Sequence, residues 1–125
     1  MTKVLVVDDT LFMRHAIKTM LADSSYEVVG EAINGREAIE KYRKLLPDVV
    51  TMDVTMPVMS GLDATKLIID EFPDAKIIVI SALGQQKMIL QALSLGAKDF
   101  ITKPFDQQRL MSTIVKVVGG EGLLC

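Results

Sequence analysis

Ile77-Ile78-Val79-Ile80 is an unbroken apolar run, as are Val4-Leu5-Val6-Val7 and, with one threonine, Val49-Val50-Thr51-Met52. A strand with one face in water alternates polar with apolar residues, so continuous runs mark strands covered on both faces. That is the environment of central strands in a parallel sheet. Two weaker runs complete five predicted strands: 3–7, 27–32, 48–52, 76–80 and 98–101. Between them, apolar residues recur with helical period. Met13, Ile17, Met20 and Leu21 form one stripe. Ala38, Tyr42 and Leu45 form a shallower one in a helix over 35–46, with Asn34-Gly35 before it and Pro47 after. Further helices are predicted over 61–72 ahead of Pro73, about 85–95 ahead of a left-handed cap at Gly96, and 106–118 from an N-cap at Asp106. The last carries Leu110, Met111, Ile114, Val115 and Val118 along one side.

Strict alternation of strand and helix with short connections predicts an α/β fold in a single domain. Its doubly wound, five-stranded parallel sheet has the flavodoxin-like order 2-1-3-4-5. The expected domain is 1–118, and Gly119-Gly120-Glu121-Gly122 opens an expected flexible tail over 119–125. A chain of 125 residues, half of them apolar, is long enough for one sizeable core. The formal charge of −2 offers no basic surface to nucleic acid. No apolar run approaches the roughly 20 residues of a membrane span. The one cysteine, Cys125, permits no intrachain disulfide, and Val4 lies too close to Met1 for a secretory leader. The expectation is a cytoplasmic monomer.

In this topology, ligands bind outside the carboxyl ends of strands one and three, where the strand order switches. Asp8 and Asp9 directly follow the first run and Asp53 directly follows the third. Unit charges about 4 Å apart repel by roughly 4 kcal/mol at an effective dielectric of about 20, so three converging carboxylates call for a cation. Ser81 follows strand four and Lys103 follows strand five. Hard oxygen ligands in this number suit Mg²⁺, which often shares phosphate oxygens. A carboxylate can act as nucleophile and form an acyl phosphate, while a metal and a lysine neutralise the transferring group. A nucleotide site fits poorly, because no Gly-rich loop follows strand one and Asp8-Asp9 repels a pyrophosphate.

The motifs Val-Val-Asp8-Asp9, Met52-Asp53-Val-Thr-Met56-Pro57 with Gly61, Ile80-Ser81-Ala82 and Lys103-Pro104-Phe105 resemble the receiver domain of two-component response regulators, over about residues 3–118. Leu11-Phe12-Met13-Arg14, Thr51-Met52-Asp53 and the segment from Ser81 to Gln86 further resemble the single-domain chemotaxis regulators. The resemblance implies that Asp53 is the phosphoacceptor, attacking a phosphohistidine. It implies that Asp9, Asp53 and the backbone carbonyl of Thr55 hold Mg²⁺, with Asp8 acting largely through bound water. Lys103 is expected to pair with Asp53 before reaction and with a phosphoryl oxygen after it. Ser81 is expected to bond another phosphoryl oxygen, shifting the loop after strand four. Phe100, often tyrosine in relatives, then turns inward. Thr55 and Leu83 hold positions that tune phosphate hydrolysis, and neither is acidic or an amide. The Lys103–Pro104 bond is expected to be cis.

The implied partners are a CheA-like histidine kinase, a flagellar motor switch protein and a phosphatase, with no external substrate turned over and no organic cofactor. The alternative is a receiver cut from a longer regulator with a DNA-binding or enzymatic effector. A haloacid-dehalogenase-type phosphatase needs a second acid two residues after its nucleophile, where this chain has Thr10 or Thr55. His15 has no acidic or cysteine partner at ligand spacing and reads as a surface residue.

Overall fold

The computed structural model describes residues 1–123, with side chains to Gly119. Strands and helices alternate throughout: β1 (Thr2–Val7), α1 (Leu11–Leu21), β2 (Tyr26–Ala32), α2 (Gly35–Leu45), β3 (Val49–Asp53), α3 (Gly61–Glu71), β4 (Ile77–Ser81), α4 (Gln86–Ser94), β5 (Asp99–Thr102) and α5 (Gln107–Leu123). All strand pairs are parallel, in the order β2-β1-β3-β4-β5. The predicted sheet is therefore the observed one. β3, β4 and β5 each end one residue later than their apolar runs suggest. Ladder hydrogen bonds continue through Asp53, Ser81 and Thr102, which a hydrophobic pattern does not register.

The continuous runs divide residue by residue between two cores. Leu5, Val7, Val50, Met52, Ile77 and Val79 face Ala38, Ile39, Tyr42, Ala64, Ile68 and Ala92 of α2, α3 and α4. Val4, Val6, Val49, Ile78 and Ile80 face Ile17, Leu21, Leu110 and Ile114 of α1 and α5. Period two in the strand thus sends alternate side chains to opposite layers. Side chains cap four helix starts: Thr10 accepts from the Met13 amide, Asn34 from Glu37, Ser60 from Asp63 and Asp106 from Arg109. Each such cap stabilises its helix by about 1 kcal/mol. At the end of α4, Gly96 has φ +113. Its amide donates to the Leu93 carbonyl and the Ala97 amide to Ala92, a Schellman closure.

Two features of α5 differ from expectation. The helix runs to Leu123, five residues beyond the predicted end at 118. Glycine lowers helix stability by about 1 kcal/mol against alanine but does not forbid the conformation. Residues 124 and 125 of the expected tail lie outside the described residues. Val115 is 45% exposed, whereas Thr113 is buried. From Leu110, Ile114 lies four positions on and shares its face, but Val115 lies five on and turns away. Among the described residues, no helix is long and apolar enough to cross a membrane.

Candidate functional site

The parallel register sets Val7 beside Met52, so the next residues, Asp8 and Asp53, emerge together at the carboxyl edge. Carboxylate oxygens of Asp8, Asp9 and Asp53 lie within 4.8 Å of one another. Asp8 and Asp53 are buried and Asp9 is exposed. Lys103 Nζ stands 3.3 Å from Asp8 Oδ2 and 3.4 Å from Asp53 Oδ1. These distances exceed the roughly 2.7–2.9 Å of a tight charge-assisted bond, so the ammonium straddles two acids rather than committing to one. The expected pair with Asp53 is present, and Asp8 shares it. The Lys103 amide donates to the Ser81 carbonyl at 2.7 Å, which ties the lysine to the end of β4. The Lys103–Pro104 bond is cis, as the resemblance implies.

Around this centre stand residues outside the acidic cluster that hold it in place. The Thr10 amide and hydroxyl both donate to Asp8 Oδ1 at 2.9 Å. Arg14 Nη1 donates to the Asp8 carbonyl at 2.9 Å, and its Nε pairs with Glu31 Oε1 at 3.0 Å. Lys18 and Arg14 together hold the Glu31 carboxyl below its usual range, overcoming partial burial. The acidic turn is therefore anchored from α1 and β2. Thr10 had a readable signal, a hydroxyl two residues after an aspartate and ahead of a helix. Arg14 had none, because its partners, the Asp8 carbonyl and the Glu31 carboxylate on β2, are brought to it only by the fold.

Burial raises the Asp53 pKa and the charge of Asp8 adds to it, reaching about 6 despite the opposing pull of Lys103. Burial works against the Lys103 ammonium, but the charges of Asp53 and Asp8 outweigh it and raise its pKa. Three carboxylates against one ammonium leave 3 − 1 = 2 negative charges when all are ionised. An all-oxygen donor set with that deficit fits a hard divalent cation. Ser81 Oγ is fully buried and has no hydrogen-bond partner among the described residues. A buried unpaired hydroxyl is unfavourable by about 1–3 kcal/mol, and an oxygen acceptor brought to this edge relieves it. Phe100 lies further off. It is half-buried and borders an apolar cavity of about 440 Å³ that Ile89, Leu90 and Leu93 of α4 also line. His15 is exposed, as read from the sequence.

The loop after β3 is under two local constraints. A Cβ on Gly61 would lie 2.0 Å from the Asp53 carbonyl oxygen, and the Gly61 amide donates to the Val54 carbonyl at 2.8 Å. Both contacts are backbone and cannot yield. Gly61→Ala is expected to destabilise by about 3 kcal/mol or more and to displace Asp53, read as a lower melting temperature together with weaker Mg²⁺ binding. Val58 has φ +69, and the Met59 amide donates to the Pro57 carbonyl at 2.7 Å. This is a γ-turn of the rarer, strained hand, at a β-branched residue. Asparagine tolerates positive φ better, so Val58→Asn should raise stability by about 1 kcal/mol in a denaturant titration.

The model for the response regulator receiver domain matches residues 4–115. Chemotaxis protein CheY of Thermotoga maritima is 56% identical over 115 residues, 92% of this chain and 96% of that protein. Chemotaxis protein CheY of Listeria monocytogenes is 51% identical over 116 residues, covering 93% and 98%. Among solved structures, the CheX-CheY-BeF3-Mg+2 complex from Borrelia burgdorferi contains a chain that matches with TM-score 0.89. That chain is 33% identical, and the match spans 93% of this chain and 88% of that one. The motif pattern, the strand order and these near-full-length likenesses converge: the chain belongs to the response regulator receiver domain family, and its kinship within that family is with the chemotaxis regulators.

Proposed function

We propose that this chemotaxis regulator acts in the cytoplasm as a switch. It takes a phosphoryl group on Asp53 from a CheA-like histidine kinase and, once modified, binds a flagellar motor switch protein. The observation that carries this is Asp53 itself: a buried carboxylate pushed up to about 6, still ionised at neutral pH, with the Lys103 ammonium 3.4 Å away. A carboxylate so placed is more basic than an exposed one, and a fixed cation stands ready for the charge it receives.

An Asp53 oxygen attacks phosphorus, a P–O bond forms, the P–N bond breaks, and its electron pair stays on the donor imidazole. Asp9, Asp53 and the Thr55 carbonyl would hold Mg²⁺ directly, and Asp8 would act through water. When bound, Mg²⁺ supplies charge neutralisation for the phosphoryl oxygens. Lys103 then meets one phosphoryl oxygen and Ser81 another, which satisfies the orphaned hydroxyl and pulls on the loop after β4. Phe100 moves into the space released, and α4, β5 and α5 form the surface that the partner reads. Hydrolysis of the acyl phosphate returns Asp53 and inorganic phosphate. A phosphatase is the proposed partner for that step; the Borrelia relative is described in a complex with CheX, BeF3 and Mg²⁺.

The test is intact-mass measurement after incubation with Mg²⁺ and acetyl phosphate. One phosphoryl group should be gained by the wild type and none by Asp53→Asn. No gain, or a gain that survives the substitution, sinks the proposal.

A further inference from the structure

Gln85 immediately precedes α4, where a short polar side chain usually accepts from the free amides of the first turn. Its side chain makes no such cap. It turns back instead: Oε1 accepts from the Ala82 amide at 2.7 Å, and Nε2 donates to the Thr55 hydroxyl at 3.0 Å. One amide therefore joins two loops. Ala82 directly follows Ser81 at the end of β4, and Thr55 lies two residues after Asp53 at the end of β3. Both bonds are needed for the bridge, and each uses a different end of the amide. A carboxylate in its place keeps the acceptor but loses the donor.

In this bridged arrangement the Ser81 hydroxyl is buried without a partner among the described residues. A serine that swings to meet a phosphoryl oxygen carries the Ala82 amide with it, since one peptide bond joins them. That motion lengthens the bond to Gln85 Oε1, and hydrogen bonds weaken quickly with misalignment and distance. We infer that Gln85 is the latch of the unmodified state, a positioning residue that holds the loop after β4 to Thr55 and opposes the shift of Ser81. This rests on the reading of Asp53 as phosphoacceptor. The latch sets how far the unmodified protein favours its resting state without touching the reacting atoms.

The test compares wild type, Gln85→Ala, Thr55→Val and the double variant by calorimetric titration, first with Mg²⁺ alone and then with beryllofluoride in saturating Mg²⁺. Gln85→Ala should bind beryllofluoride about fivefold more tightly, the equivalent of about 1 kcal/mol, with Mg²⁺ affinity unchanged. In the double variant, the effect should fall short of the sum of the single changes, because both remove one bridge. Equal or weaker beryllofluoride binding by Gln85→Ala, with Mg²⁺ binding intact, overturns the latch and leaves the role of Asp53 standing. A wild type that binds no beryllofluoride in saturating Mg²⁺ overturns the role of Asp53. Hydrogen exchange at the Ala82 amide reads the latch separately, and exchange should be at least about fivefold faster in Gln85→Ala. An unchanged rate overturns the bridge itself.

Discussion

In chelator at pH 7, Asp53→Asn should melt above the wild type by roughly 6–10 °C, corresponding to about 2 kcal/mol. Burial, reinforced by the charge of Asp8, moves the Asp53 pKa from 3.8 to about 6. A shift of about two units is equivalent to at most about 3 kcal/mol. Water reaching the pocket past exposed Asp9 screens part of that, and the neutral amide gives up part of the pairing with Lys103. The sign follows from linkage. The folded pKa lies above the unfolded one, so the folded state binds the proton more tightly. The stabilising contribution of protonated Asp53 is complete below about pH 4 and is lost as pH rises through about 6. The gap between variant and wild type should therefore be widest at pH 7, narrow between pH 6 and 4, and close below that. Calorimetric melting curves across this range check it, and a variant that melts below the wild type at pH 7 would contradict the electrostatic account. Adding Mg²⁺ should reverse the order of the two proteins. At 100 times its dissociation constant, a cation that binds only the folded wild type stabilises it by about 2.7 kcal/mol.

The same charges explain how much of this pocket was legible in the chain. Val4-Leu5-Val6-Val7 and Ile77-Ile78-Val79-Ile80 demanded burial on both faces, and only a covered parallel sheet supplies that. Once the strand order follows from alternation, Asp8, Asp9, Asp53, Ser81 and Lys103 must reach one edge, as they do. What pattern alone could not reveal depends on distances across the fold. Lys103 divides itself between Asp8 and Asp53 because β1 and β3 are neighbours with their acids side by side. Arg14 reaches a backbone carbonyl, and Gln85 reaches a loop 30 residues away. Val58 takes a strained turn that nothing in its own chemistry favours, because the flanking loop is held at Gly61 and Gly35 by bonds to Val54 and Met59. The end of α5 escaped for a different reason. Gly119 and Gly120 lower helix propensity without removing a hydrogen-bond donor, so they weaken the helix where a proline would stop it.

Lys103→Met should produce two large effects of opposite sign. The ammonium stands 3.3 Å and 3.4 Å from the two buried carboxylates, in the position of a resident counter-ion. It therefore competes with any metal cation for the same oxygens, and Coulomb repulsion between the two is strong in a half-dry pocket. Replacing it with an apolar chain of similar length removes the competitor, so Mg²⁺ should bind at least about tenfold more tightly. In chelator, the variant leaves Asp8 and Asp53 buried together without compensation and should lose about 3 kcal/mol of stability, recovered when Mg²⁺ is added. Acyl phosphate formation should nevertheless fall by about two orders of magnitude, as is typical when a preorganised donor to developing charge is removed. Calorimetric titration and timed intact-mass measurement separate the two effects. Weaker Mg²⁺ binding by the variant would show that Lys103 supports the metal site rather than competing with it. Unimpaired acyl phosphate formation would remove the lysine from the chemistry. Tighter metal binding with slower phosphorylation is the outcome that fits a lysine poised between two acids, holding the place of one cation while waiting for the oxygens of another group.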